Sequence, residues 1–276
     1  LTVEECLKAV DDCGAPAVSI CGGEPTIYPE LKELVEGIIA RKRHIYLCTN
    51  ALLLDKKVYG VIPPYRRFTI NIHLDGLKKT HDYVCDRDGV YKKAIAMIEE
   101  GKRLGYHVMT NTTVFKETDI GEVEELCRLL HELGVDGMLI SPGYSYESVD
   151  RQIFLTREEI YKKFRKVLEM SKRYRLTSTP MFLEFAAGLR DYPCSPWSTV
   201  TYTPLGWKGP CYLIGLKYFK TWEEFWNGVD WDYWESRKDR RCQNCMMHSG
   251  FEASAVRELW KAPKDMARMA LWNLLG

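Results

Sequence analysis

Two groups of residues in this chain have types and spacings that could do chemistry. The first is Gly22-Gly23-Glu24-Pro25, which follows the apolar run Pro16-Ala17-Val18-Ser19-Ile20 after a single cysteine. Two glycines let a backbone come close to a ligand, and a residue before proline is held extended. The stretch reads as a strand end that delivers one carboxylate, Glu24, beside bare backbone. The second group is four cysteines: Cys194, Cys211 and the Cys242-x2-Cys245 pair. Four thiolates brought together suit zinc or an iron–sulfur cluster. A plainer reading leaves Cys194 and Cys211 as buried residues and only the Cys-x2-Cys pair as special. Ten cysteines in 276 residues, with no secretory signal expected, favour metal or redox chemistry over disulfides.

The elements that must position these residues follow a repeating pattern. Residues 2–13 carry Val3, Leu7 and Val10 at helical spacing behind a Thr2-x-x-Glu5 capping box and stop at Gly14. The same unit, a helix ending at a turn and then an apolar strand, recurs to about residue 145. The predicted strands are 16–20, 44–50, 67–76, 106–115 and 135–141, and the predicted helices include 30–42 and 90–104. Strands alternating with helices imply a parallel sheet. Polar residues cluster at the strand ends: Gly22–Glu24, Thr49–Asn50, His73–Asp75, Asn111–Thr113 and Ser141–Tyr144. In βα barrels that rim holds the active site. Beyond residue 150 the pattern changes to one more capped helix, Thr156-x-x-Glu159, and then to an irregular stretch rich in proline, with all eight tryptophans after residue 195. The expected division is therefore 1–150 and 151–276.

Composition limits the function. Thirty-nine basic and 38 acidic side chains give a net charge of +1, so no electrostatic case exists for nucleic acid. No stretch approaches the ~20 apolar residues of a membrane-spanning helix. The last segment, Lys264 to Gly276, reads as an amphipathic helix that either lies on a membrane surface or docks onto the protein.

On these residues the sequence resembles the radical S-adenosylmethionine (SAM) enzymes. That family often places Gly-Gly-Glu-Pro after its second barrel strand, Thr-Asn-Gly after the third and Ser-Leu-Asp-Gly after the fourth. Here the matching stretches are Gly22–Pro25, Thr49-Asn50-Ala51 and His73-Leu74-Asp75-Gly76, with Asn111 ending the next strand. The resemblance implies an α/β fold, a partial (β/α)6 barrel lacking its first strand, and a cofactor held by Gly22, Gly23, Glu24, Asn50, His73, Asp75 and Asn111. Glu24 would receive the methionine ammonium, which needs acceptors. The defining Cys-x3-Cys-x2-Cys loop of the family does not occur in this sequence. Cys6, Cys13 and Cys21 are separated by six and seven residues and do not replace it. The expectation is that the loop lies upstream of Leu1 and that the chain as written does not cleave SAM.

The second half narrows the resemblance. Cys194-Ser-Pro-Trp197, Gly206-Trp207-x2-Pro210-Cys211-Tyr212-Leu213 and Cys242-x2-Cys245-Met246-Met247-His248 resemble the C-terminal region of the adenosylhopane synthase family of hopanoid biosynthesis. Ser249 stands where that family is expected to have cysteine. The family's chemistry would add the 5′-deoxyadenosyl radical to the terminal alkene of a hopene, diploptene, and then supply a hydrogen atom. Cys48, two residues before Asn50, is the candidate donor, because a thiol S–H bond is weaker than the tertiary C–H bond formed. The plainer view of Cys48 is a small apolar filler. Implied cofactors are SAM, a 4Fe–4S cluster and an auxiliary 4Fe–4S cluster on Cys194, Cys211, Cys242 and Cys245, with zinc as the alternative. Implied partners are a triterpenoid substrate and an electron-donor protein such as flavodoxin or ferredoxin, in the cytoplasm or against the inner membrane. Two other readings stay open: a different radical reaction, such as hydrogen abstraction from another small molecule, and a non-catalytic SAM- or metal-binding module.

Overall fold

The computed structural model describes residues 1–144 and 151–275. Thr2 opens the first helix, α1 (Val3–Cys13), by the expected capping box: its hydroxyl accepts from the Glu5 N–H at 3.1 Å, and the Glu5 carboxylate accepts from the Thr2 N–H at 2.7 Å. Gly14 ends the helix at φ +63°, a left-handed position that glycine adopts without penalty. The alternation then runs β1 (Ala17–Ile20), α2 (Leu31–Ala40), β2 (His44–Thr49), the single turn α3 (Leu54–Lys57), β3 (Phe68–His73), α4 (Lys78–Val84), α5 (Val90–Arg103), β4 (His107–Val114), α6 (Ile120–Glu132) and β5 (Gly137–Pro142). All five strands expected from the sequence are present. The short α3 and α4 were not anticipated, because each is too brief to show a helical period.

The strands lie in the order β1-β2-β3-β4-β5, and β1 with β2, β2 with β3 and β3 with β4 are parallel. A doubly wound sheet would reverse its direction of growth partway. Strict sequential order is that of a βα barrel, so the fold is the expected α/β partial barrel. Alternation along the strands separates two faces. Ile45, Leu47, Ile70, Ile72 and Val108 are fully buried on one of them, and each contributes about 1.5–3 kcal/mol by leaving water. The other face carries Cys48 opposite Asn71, Asn71 opposite Met109, and His73 opposite Asn111.

The described residues form two compact units, Leu1–Thr112 with Gly121–Leu139, and Thr113–Ile120 with Ile140–Gly276. In the second unit, Thr156 caps α7 (Arg157–Met170) through a box with Glu159. There follow α8 (Pro180–Ala186), β6 (Thr201–Thr203), β7 (Gly206–Pro210), β8 (Gly215–Phe219), α9 (Trp222–Gly228), α10 (Trp231–Glu235), α11 (His248–Arg257) and α12 (Pro263–Leu275). The stretch that reads as irregular in sequence thus contains an antiparallel sheet, β6-β7-β8. Its prolines punctuate the strands instead of excluding them: Pro204 lies between β6 and β7, and Pro210 ends β7. Trp207 is buried, with ring centroids 4.8 Å from Trp222 and 5.9 Å from Phe225, so Trp207 is core and half-buried Trp222 packs on it. The C-terminal segment is helical. Asp265 pins α12 through Arg190, whose guanidinium also contacts Glu184, while Met266, Leu271 and Leu274 remain exposed. Among the described residues no helix is long and apolar enough to cross a membrane.

One glycine sets how closely α5 meets its neighbours. A Cβ on Gly101 would lie 2.5 Å from the Tyr59 hydroxyl oxygen and 3.0 Å from Val108 Cγ2. Tyr59 cannot swing aside freely, because its hydroxyl donates to the Met97 carbonyl at 2.6 Å. Gly101→Ala is therefore expected to destabilise the protein by about 1–3 kcal/mol through overpacking, despite the better helix propensity of alanine. Urea unfolding of the two proteins measures this, and an equal or higher midpoint for the variant would refute it.

Candidate active site and cysteine-lined cavity

The two glycines and the proline do what their types require. Gly22 sits at φ +135°, and a Cβ added to Gly22 or Gly23 would meet nothing within 4 Å. The backbone here borders open space. Glu24 is extended, at φ −144° and ψ 110°, and caps the 3-10 turn Pro25–Ile27. Its carboxylate is held by four donors. Oε1 accepts from the Thr26 N–H (3.0 Å), the Thr26 hydroxyl (2.6 Å) and the Thr49 hydroxyl (2.7 Å), and Oε2 accepts from the Asn50 N–H (2.8 Å). Oε2 therefore keeps acceptor capacity. Thr26 is fully buried and Thr49 nearly so. Thr49 was placed at the rim by the sequence, whereas Thr26 was missed. The available signal was the Glu-Pro-Thr spacing, which lets the carboxylate cap its own turn.

Asn50 contributes mainly through its backbone, since its side-chain oxygen accepts from the Leu52 N–H at 3.0 Å. Ala51, where the resembling family has glycine, is fully buried at φ +67°. A left-handed conformation costs a non-glycine residue roughly 1–2 kcal/mol, which accounts for the usual glycine.

At the end of β3, His73 Nε2 lies 2.8 Å from the carboxylate of Asp75, which is 4% exposed. Burial opposes protonation of His73, yet the hydrogen bond and charge of Asp75 outweigh it and raise the pKa above the ordinary 6.5. The Asp75 N–H donates to Nδ1 of His81 at 3.2 Å, and burial lowers the pKa of His81. His81 was not foreseen, since the helix that carries it was not. Opposite His73 in the register, Asn111 has its side-chain oxygen buried without a partner, as does Asn71. Cys48 lies on this same face, half-buried, with Asn71 Nδ2 donating to its sulfur at 3.7 Å. Burial, then nearby Cys21, pushes its pKa up to about 11, so the thiol keeps its hydrogen at neutral pH.

In the second unit, Cys194, Cys211, Cys242 and Cys245 line one largely apolar cavity of about 30 Å³, together with Tyr144 and Met247. That is about twice the space one water needs. Burial raises all four thiols, and the neighbouring cysteines add to the rise at Cys194, Cys242 and Cys245, bringing Cys242 to about 11 and Cys245 to about 12. The Ile214 N–H donates to Cys211 Sγ at 3.4 Å. Gly250 was missed from the sequence. A Cβ there would lie 2.7 Å from Cys194 Sγ, and a glycine inside a helix that costs ~1 kcal/mol was the available signal. Ser249 lines the cavity as well. Among the described residues no three such donors are placed to hold a single metal ion. Tyr144 is described, whereas Ser145-Tyr146-Glu147 lie outside the described residues.

Residues 1–130 match the radical SAM superfamily. Residues 138–269 match a domain of unknown function, DUF3463. The chain is similar to GTP 3′,8-cyclase of Aquifex aeolicus, 26% identical over 48% of this chain and 42% of that protein. It is also similar to the antilisterial bacteriocin subtilosin biosynthesis protein AlbA of Bacillus subtilis, 21% identical over 89% of this chain and 57% of that protein. The chain thus spans about half the length of these curated relatives. Among solved structures it resembles anSMEcpe with bound AdoMet and Cp18Cys peptide (TM-score 0.56, 15% identity, 99% of this chain and 91% of that one). SuiB of Streptococcus suis is a further likeness (TM-score 0.55, 19% identity, 66% and 44%). At these identities the likeness concerns the fold.

The superfamily implies SAM and a 4Fe–4S cluster. The open backbone at Gly22–Gly23, the spare capacity of Glu24 Oε2 and the orphaned Asn111 oxygen fit SAM. Residues 1–276 contain no Cys-x3-Cys-x2-Cys loop, and none of them is assigned to that cluster.

Glu24→Gln is expected to weaken SAM binding about tenfold, because a charge-assisted contact becomes a neutral one worth less by ~1–2 kcal/mol. Calorimetry on the holoenzyme reads this directly, and equal affinity would refute it. The His73–Asp75 pair makes a second expectation. Since folding raises the His73 pKa, its contribution is full below the ordinary 6.5 and fades as pH climbs through the folded value. His73→Gln should therefore lower the melting temperature more at pH 5.5 than at pH 8.5, and a pH-independent difference would count against the pair.

Proposed function

We propose that this chain belongs to a radical SAM enzyme that adds the 5′-deoxyadenosyl group to the terminal alkene of a hopene, giving adenosylhopane for hopanoid biosynthesis. The observation that carries this reading is the Cys48 thiol. It is neutral, turned to the polar face of the sheet, and steadied by Asn71. Bound SAM and its cluster supply the 5′-deoxyadenosyl radical. Its addition forms a carbon–carbon bond and leaves a tertiary carbon radical that must gain hydrogen. A substrate radical left by hydrogen abstraction can end by losing an electron, whereas the saturated adduct of an alkene forms only when the adduct radical gains a hydrogen atom. Gly22, Gly23, Asn50, His73, Asp75 and Asn111 bind and orient the cofactor in this reading, with Glu24 on the methionine ammonium. The resemblance of residues 194–252 to the adenosylhopane synthases supports the substrate, a triterpenoid. It also supports a small electron-transfer protein as reductant and a cytoplasmic site against the inner membrane.

We infer that Cys194, Cys211, Cys242 and Cys245 hold an auxiliary iron–sulfur cluster. Four half-buried thiols with raised pKa values lose their protons readily only against compensating positive charge, and N–H donors aimed at sulfur suit such clusters. A single zinc ion would need its donors drawn more tightly together.

A second reading, a peptide-modifying radical enzyme, is favoured by the 89% of this chain that aligns with AlbA. Product analysis separates the two. Holoenzyme, reductant, SAM and diploptene are expected to yield one joined adenosyl–hopane product. Free 5′-deoxyadenosine beside unchanged diploptene would overturn the addition reading. Cys48→Ala, with its clusters intact, should lower saturated adenosylhopane at least tenfold while joined material still forms.

A further inference from the structure

Cys21 lies one residue past β1 and takes no part in holding Glu24. The parallel register of β1 and β2 runs Ala17 to His44, Val18 to Ile45, Ser19 to Tyr46 and Ile20 to Leu47. The next step places Cys21 beside Cys48. Each sulfur leans back along its own strand, Cys21 Sγ toward the Ser19 carbonyl at 3.9 Å and Cys48 Sγ toward the Tyr46 carbonyl at 4.0 Å. Ser19 and Tyr46 are register partners, and residues two apart share a face. Both thiols therefore sit on one face of adjacent strands. Neighbouring strands are about 4.8 Å apart, within the ~4.4–6.8 Å that separates the α-carbons of disulfide-bonded cysteines. Electrostatics agrees, since Cys21 is close enough to raise the pKa of Cys48. The two thiols differ in access: Cys21 is exposed and Cys48 half-buried.

We propose that Cys21 and Cys48 act as one dithiol, in which exposed Cys21 restores the hydrogen atom that half-buried Cys48 gives up. The proposal rests on the reading of Cys48 as the donor. After donation, the Cys48 sulfur carries the unpaired electron. The Cys21 S–H bond breaks, a Cys48 S–H bond forms, and the unpaired electron moves to the Cys21 sulfur. A small-molecule thiol in solution then gives its hydrogen atom to Cys21 and leaves as its own thiyl radical. One hydrogen atom enters the pair for each one that leaves. Exchange between two like thiols is nearly thermoneutral, so repair at the exposed end sets the direction.

Two measurements test the pair. In the first, reduced protein is treated with glutathione disulfide, alkylated and mapped by mass spectrometry. Two protein thiols then become one disulfide while the oxidant becomes two glutathione thiols. A linked Cys21–Cys48 peptide is expected, and it should vanish in Cys21→Ala. Finding both cysteines only singly alkylated or glutathionylated would overturn the pair without reference to activity. In the second, the holoenzyme is given excess alkene and a small thiol. Cys21→Ala is expected to cut the saturated product per enzyme at least tenfold, toward a single turnover. Parent-level turnover by Cys21→Ala, beside a defective Cys48→Ala, overturns the relay alone. Saturated product at the parent rate from Cys48→Ala overturns the donor reading and the relay with it.

Discussion

The strand-end rim of the sheet depends on one half-buried constraint, the carboxylate of Glu24 and its four donors. A carboxylate this close to the core is tolerable only when its oxygens are satisfied. The donors come from two directions: Thr26 in the turn that Glu24 itself caps, and Thr49 with the Asn50 N–H at the end of β2. The network thus ties the end of β1 to the end of β2 and fixes where the charge points before any ligand arrives. That is preorganisation of the kind a binding site needs. It also explains the punctuation of the sequence, because only a sharp stop after Ile20 brings the carboxylate back over the next strand.

The fold was legible in the sequence where local rules act alone. Capping boxes at Thr2 and Thr156 and the glycine at 14 marked helix ends correctly, and the apolar strands were found because each is bounded by turn residues. What escaped depends on contacts distant in sequence. Thr49 reads as a rim residue, but its bond to Glu24, 25 residues away in sequence, forms only on folding. His81 was hidden because α4 is only seven residues long. The second unit was under-read for a different reason. Its proline-rich stretch looks unstructured, yet the prolines fall at strand ends and turns, where a missing N–H costs nothing.

The two candidate sites show thiols used in contrasting ways. Cys48 stands on a sheet face beside one other thiol, where a raised pKa preserves its S–H bond. The four cysteines of the second unit crowd one apolar cavity, where the same burial makes the neutral state a strain on any bound cation and the ionised state a strain without one. Gly250, with no room for a side chain against Cys194, keeps that crowding possible.

Ala51 carries a consequence for how this chain can vary. Its backbone is left-handed and its surroundings leave it no exposed surface. The conformation disfavours β-branched residues, and full burial makes a longer side chain displace its neighbours. Glycine and alanine meet both conditions at the least cost. Alanine keeps the methyl contact and loses conformational ease, and glycine does the reverse. Position 51 therefore sets a methyl contact against backbone ease, and the turn can be built with either small residue.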